Sequence, residues 1–261
     1  MVLHSNSADG GGEYTSGGRR GPILTSKYSP QYLSWMTFRF TRLAALLVVL
    51  SGCAVLQRKP QEPVNTVELP TVADDVADSL MVDLKGVDST FVIDLRYTTA
   101  NNFIGAPLPG YEANRAYMRA EAAAALAVAN EDLRAQGYAL KIFDAYRPVR
   151  ASEAMVAWTQ RANRPDLLKD GYIAARSRHN LGVAVDLTLV NLATRAEITM
   201  GTPFDHFSPA AFTMNSRGII LQNRLILKRV MERQGFTNYE KEWWHYSYVV
   251  ANPVRFDKVI K

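Results

Sequence analysis

Histidine is scarce in this 261-residue chain, with four residues at His4, His179, His206 and His245, and cysteine scarcer still, at Cys53 alone. A lone cysteine excludes an intramolecular disulfide and leaves any metal site to His, Asp and Glu. Two stretches place such residues where chemistry is possible. Ser177-Arg178-His179-Asn180-Leu181-Gly182-Val183-Ala184-Val185-Asp186 sets a His in a glycine-containing turn and an Asp inside the apolar run that follows. Glu242-Trp243-Trp244-His245 adds a second His with a carboxylate three residues before it. Two imidazoles and one carboxylate, His179, Asp186 and His245, are the donor set of a catalytic zinc, which keeps a fourth position open for water. Zinc brings the pKa of that water towards neutrality. Glu242 stands close enough in sequence to handle the proton without being a ligand.

Each residue alone has a plainer explanation. A His in an apolar strand is commonly a hydrogen-bonded core residue, and His206, beside Asp205, reads as a surface histidine rather than a competing ligand. His4 lies outside the folded part. An aspartate within an apolar strand is odder, because burying a carboxylate is costly unless it is paired or coordinated. Geometry adds a demand. Residues three apart share a helix face but lie on opposite faces of a strand, so to reach a metal-bound water Glu242 must sit in the turn ahead of the strand that carries His245, or at a bulge.

Taken together, Ser-x-His-x-x-Gly-x-Ala-x-Asp followed by Glu-x-x-His resembles the zinc site of the D-alanyl-D-alanine metallopeptidases, whose superfamily includes lysostaphin-like and hedgehog-like domains. Ser177, His179, Gly182, Ala184, Asp186, Glu242 and His245 carry the match. Further segments resemble the dipeptidase branch: Asp94-Leu95-Arg96-Tyr97, Asn102-Phe103-x-Gly105, Gly110-Tyr111-Glu112-x-Asn114, Asp144-x-Tyr146-Arg147-Pro148 and Glu242-Trp243-Trp244-His245-Tyr246. They run in the family's order between residues 88 and 250.

The resemblance implies one zinc ion per chain on His179, Asp186 and His245, with Glu242 as general base and then acid. Arg147 would stabilise the oxyanion, a role that suits an always-charged guanidinium. Asp205, with Tyr111 and Ser177, would hold the substrate's ammonium group, and Tyr97 joins this substrate-binding set. A carboxylate at a fixed distance from the metal would admit dipeptides and reject longer chains. The implied reaction is hydrolysis of the D-alanyl-D-alanine dipeptide. Two rivals remain: a D,D-carboxypeptidase or endopeptidase acting on peptidoglycan stems, and a non-catalytic zinc- or peptidoglycan-binding lipoprotein. Intact Glu242 and Arg147 count against the second.

These residues need a scaffold. Residues 91–97 and 138–144 read as strands, and 183–190 as a near-continuous apolar strand central in a sheet. Residues 244–250, aromatic and β-branched, read as another. The Ala- and Leu-rich stretch 115–135 predicts a helix stopped by Gly137. Pro148 suits the first residue of a helix running to about Ala162. A third helix is expected over 218–234, with Ile220, Leu227, Val230 and Met231 on its core face. Strands and helices do not alternate regularly enough for a doubly wound fold. The expectation is a single α+β domain over 67–261, with a mainly antiparallel central sheet flanked by helices.

The first sixty residues read as an address. Residues 1–35, rich in Gly, Ser and Tyr, lack periodicity and read as disordered or as an upstream extension of a start at Met36. Residues 36–52 pair Arg39 and Arg42 with the apolar run Leu43–Leu50, too short to span a bilayer, as in a signal peptide. Leu50-Ser51-Gly52-Cys53 resembles a lipobox, which implies a lipidated Cys53, a tether over 53–66 and a place on the periplasmic side of a bacterial membrane, the outer one for preference.

Charge agrees with this division. The net charge is +5, but residues 1–53 hold five basic and two acidic residues, leaving 25 basic and 23 acidic beyond them. A nucleic-acid binder concentrates positive charge in its folded part. This chain does not.

Overall fold

A continuously apolar run such as that around residue 187 is at home only in a strand covered on both faces. The computed structural model describes residues 69–261, and there Ala184–Asn191 is a strand buried along all but its last residue. The signal segment, Cys53 and the tether lie outside the described residues.

The elements are, in chain order, β1 (Thr71–Val72), α1 (Asp74–Leu80), β2 (Met81–Asp83), α2 (Leu84–Val87), β3 (Val92–Ile93), β4 (Tyr117–Arg119), α3 (Ala120–Arg134) and β5 (Tyr138–Asp144). There follow α4 (Val149–Arg161), α5 (Asp166–Lys169), β6 (Ala184–Asn191), α6 (Gly218–Arg233), β7 (Thr237–Asn238), β8 (His245–Ser247) and β9 (Arg255–Phe256). A five-stranded sheet in the order β3-β5-β6-β8-β7 forms the centre, and of its pairings only β3 with β5 is parallel. The fold is α+β with a mainly antiparallel sheet, as the sequence predicts.

The register of this sheet is what assembles the chemistry. Asp186 on β6 pairs with His245 on β8 and with Asp144 on β5. Cross-strand partners project to the same face, so three functional side chains share one row. A bulge sets that row. Ile142 faces Leu187, yet the next partner of β5 is Asp144 and not Phe143. The extra residue turns a carboxylate towards the site where Phe143 would otherwise fall.

Helices cover the sheet. In α3, Leu126, Ala129 and Leu133 are buried, as is Asn130, whose side-chain oxygen accepts from Leu140 N at 2.8 Å and so ties helix to strand. In α6, Leu227, Val230 and Met231 are buried as expected, while Ile220 is only half-buried. Arg224 shares the buried face of α6. Its guanidinium donates to the carbonyls of Met200, Phe212 and Ala210 at 2.8, 2.8 and 3.1 Å, gathering the loop that carries Asp205.

Four expected boundaries shift, each for a tertiary reason. The helix expected from Arg115 starts at Ala120, because Tyr117–Arg119 pair with Met81–Asp83 as a strand. The strand expected over 91–97 shrinks to Val92–Ile93, because Leu95 N turns aside to the Asn114 side chain and Arg96–Thr98 coil into a 3₁₀ turn. Pro148 caps α4 from outside, with extended ψ, and the helix begins at Val149. The last strand is only His245–Ser247. Among the described residues no helix is long and apolar enough to cross a membrane.

Candidate active site

His179 is delivered by a 3₁₀ turn, Arg178–Leu181, whose first backbone amides need capping. Ser177 supplies the cap: its Oγ accepts from His179 N at 3.2 Å, and the Asn180 side chain answers back to Ser177 N. The turn closes at Gly182 with φ +65°. His179 Nδ1 donates to the Ala145 carbonyl at 2.6 Å, which fixes the tautomer and leaves the Nε2 lone pair for a cation.

That lone pair faces the sheet row. His179 Nε2 lies 3.2 Å from His245 Nδ1 and 3.4 Å from Asp186 Oδ2, and His245 Nδ1 lies 3.0 Å from Asp186 Oδ1. Donors about 2.0–2.2 Å from a tetrahedral zinc stand about 3.3–3.6 Å apart, so these separations fit one ion between them. Among the described residues this is the one group of His, Cys and acidic side chains so converged. His206 is exposed and takes no part.

Glu242 meets the demand set by its spacing. It sits in the turn before β8, its amide bonded to Tyr239 O at 2.9 Å, and its Oε2 is 3.8 Å from His245 Nδ1. The Asn238 side chain clamps that turn by donating to the Glu242 and His245 carbonyls, both at 3.0 Å.

Arg147 follows the end of β5. Its Nε and Nη2 reach Asp144 Oδ2 at 2.9 and 2.8 Å, and Nη2 is 3.6 Å from Asp186 Oδ2. Tyr97 lies beneath the guanidinium, 5.2 Å from ring centre to the guanidinium carbon, and donates its hydroxyl to Asp205 at 3.0 Å. Tyr97, Arg147, Ser177, His179, Asp186, Asp205, Glu242 and His245 all line one cleft of about 250 Å³.

A family model described as D-Ala-D-Ala dipeptidase, of peptidase type M15, matches residues 78–258. The chain belongs to the D-Ala-D-Ala dipeptidase family. It is 36% identical over 172 residues to a D-alanyl-D-alanine dipeptidase of Enterococcus faecium, covering 59% of this chain and 83% of that one. To the D-alanyl-D-alanine dipeptidase of Streptomyces coelicolor it is 35% identical over 170 residues, 59% of this chain and 84% of the relative. The Escherichia coli protein of the same name is 33% identical over 168 residues, 64% and 83% of the two chains.

One expected substrate contact of this dipeptidase-family chain lands elsewhere. Tyr111 is buried outside the cleft lining, and its hydroxyl is given to Asp144 Oδ1 at 2.6 Å. It is placed to support Asp144. Asp144 is the residue that the sequence reading left without a role. Fully buried, it receives Tyr111 and Arg147 and lies 3.4 Å from His179 Nδ1. A signal was present: an aspartate at the end of an apolar strand, the same oddity that singled out Asp186.

The electrostatics favour a cation. Asp144, Asp186, Asp205 and Glu242 crowd around the single guanidinium of Arg147. Burial, reinforced by the Asp186 and Asp205 charges, pushes Glu242 well above the usual carboxylate range. Burial and then Asp186 do the same to Asp205. Burial also acts to raise Asp186, but the two imidazoles overcome it and hold that carboxyl ionised well below its usual range. Burial lowers His245, against the pull of Asp186, which keeps its ring a neutral donor. A divalent ion would answer this excess of negative charge.

The turn beneath His179 carries a stability prediction. A Cβ on Gly182 would meet Met81 Sδ at 3.2 Å and Arg119 N at 3.4 Å, in a left-handed conformation. Gly182→Ala is expected to cost about 1–2 kcal/mol and lower Tm by roughly 2–8 °C. A thermal melt equal to wild type would show that the turn holds His179 without need of glycine.

Proposed function

We propose that this chain hydrolyses the D-alanyl-D-alanine dipeptide, with one zinc ion held by His179, Asp186 and His245. The observation that carries the reading is the sheet row and its facing turn, which bring two imidazole nitrogens and a carboxylate together beside a buried glutamate. Bound there, zinc would supply Lewis acidity to the scissile carbonyl and to the attacking water.

The chain's own groups do the rest. Glu242 takes the proton from the attacking water and returns it to the departing amine. A carboxyl raised by burial is a stronger base than a free one and still a competent acid afterwards. Arg147, held by Asp144 and stacked against Tyr97, presents N–H donors to the developing oxyanion. Asp205, oriented by the Tyr97 hydroxyl, receives the substrate's ammonium group, with Ser177 lining the same cleft. A positive φ of 59° at Asp205 is a conformation that a non-glycine residue adopts at some cost, and functional sites concentrate such strain.

In this proposal the enzyme is exported and lipid-anchored through Cys53 at the bacterial envelope, where it serves turnover or salvage of wall-derived dipeptide. Fractionation that finds the protein only in cytosol would overturn that location. The reaction itself is tested by comparing D-Ala-D-Ala, L-Ala-L-Ala and an N-acylated peptide ending in D-Ala-D-Ala. Hydrolysis confined to the free D,D-dipeptide is expected. Preferential cleavage of the N-acylated peptide would instead identify a carboxypeptidase and remove Asp205 from its role.

A further inference from the structure

The cleft is lined by three carboxylates, Asp186, Asp205 and Glu242, and by three cations, Arg147, Arg176 and Arg178. A dipeptide brings an ammonium group at one end and a carboxylate at the other. The first has acids to meet; the second must enter a negatively charged site and needs a cation not already neutralised. Arg147 is committed to Asp144 through two nitrogens. Arg178 is differently placed. Its Nη2 donates to the Tyr248 carbonyl at 2.8 Å, and among the described residues no carboxylate pairs with it.

We infer that Arg178 anchors the free C-terminal carboxylate of the substrate, so that the enzyme selects peptides whose cleaved residue carries an unblocked α-carboxyl. The inference rests on the peptidase reading and adds to it the recognition of the substrate's other end.

Two observations converge. A guanidinium has five N–H donors in a planar fork suited to a carboxylate, and the Tyr248 carbonyl occupies one of them. That carbonyl belongs to the end of the strand that carries His245: Ser247 pairs with Ala184, and Tyr248 N bonds to Val183 O at 2.7 Å. The pinned guanidinium is therefore tied to the same two strands as Asp186 and His245, and little freedom is lost when it engages a ligand. Arg176, exposed at the rim, adds positive potential that draws a carboxylate inwards.

The test compares kcat and KM on D-Ala-D-Ala and on its C-terminal amide for wild type, Arg178→Ala, Arg178→Lys and Arg176→Ala, with zinc content measured alongside. Wild type is expected to prefer the free acid. Arg178→Ala should raise KM for the acid roughly 10- to 100-fold, the effect of losing a hydrogen bond to a charged group. Its kcat and zinc content should hold, and its KM for the amide should not move; Arg178→Lys should recover part of the loss. Equal losses on both peptides, no loss on either, or the selective loss appearing in Arg176→Ala instead would overturn the assignment. A wild-type enzyme that cleaves neither peptide rejects the peptidase reading itself. That result is distinct from an active wild type whose selectivity survives Arg178→Ala.

Discussion

Glu242→Ala is expected to lower kcat on D-Ala-D-Ala by about 10²–10⁴-fold, the range for removing a general acid–base group, while zinc content stays at the wild-type level. The separation of these two effects follows from position. Glu242 lies 3.8 Å from His245 Nδ1 and 6% exposed, near the donor cluster but outside its three converged atoms. Its loss takes away the proton carrier and leaves both imidazoles and Asp186 in place. The melting temperature should not fall with activity, because the carboxyl is held against burial and against the Asp186 and Asp205 charges. Glu242→Gln, which keeps the shape and the Tyr239 turn, should be as inactive as the alanine variant if proton transfer is the role. A glutamine variant retaining near-normal kcat would sink the mechanism. Loss of zinc in either variant would make Glu242 a ligand.

What could be read in advance follows a physical divide. Strand β6 was legible because seven successive buried residues allow one environment, and an aspartate inside that run needed a partner. A turn or bulge at Glu242 followed from strand periodicity once the residue was required to reach a metal-bound water. The bulge at Phe143 was not, since it exists only in the pairing of β5 with β6, and register between strands more than forty residues apart leaves no local trace. The contact of Tyr111 with Asp144 was not legible for that reason. A Tyr near a site pattern can face the substrate or back a carboxylate, and only the register decides. Likewise the helical composition of residues 115–119 yielded to pairing with β2, where tertiary hydrogen bonds outweigh a propensity worth tenths of a kcal/mol per residue. Arg224 carried a sequence signal that went unused: it sits three and seven residues before Leu227 and Met231, on the face already assigned to the core.

Stripping the metal is expected to abolish turnover and to lower Tm by roughly 8–16 °C. A ligand present at about a thousand times its dissociation constant stabilises the folded state by about 4 kcal/mol, and a domain of this size loses about 2–4 °C per kcal/mol. The donors explain the size of the effect. His179 Nε2 on its turn and His245 Nδ1 and the Asp186 oxygens in the sheet row stand 3.0–3.4 Å apart. Four acids surround them with Arg147 as the nearest cation. Without an ion these atoms share one space and the buried charge goes unanswered. His245→Ala should reproduce the stripped protein, with substoichiometric zinc by elemental analysis, a lowered melting point that added zinc does not restore, and no turnover. His206→Ala, at an exposed position beyond the cluster, should bind zinc and melt like wild type. The chelated wild type should regain both activity and melting temperature on adding zinc, which tells metal removal from irreversible unfolding. Stoichiometric zinc in His245→Ala would remove His245 from the donor set and leave the convergence of the two imidazoles without a cause.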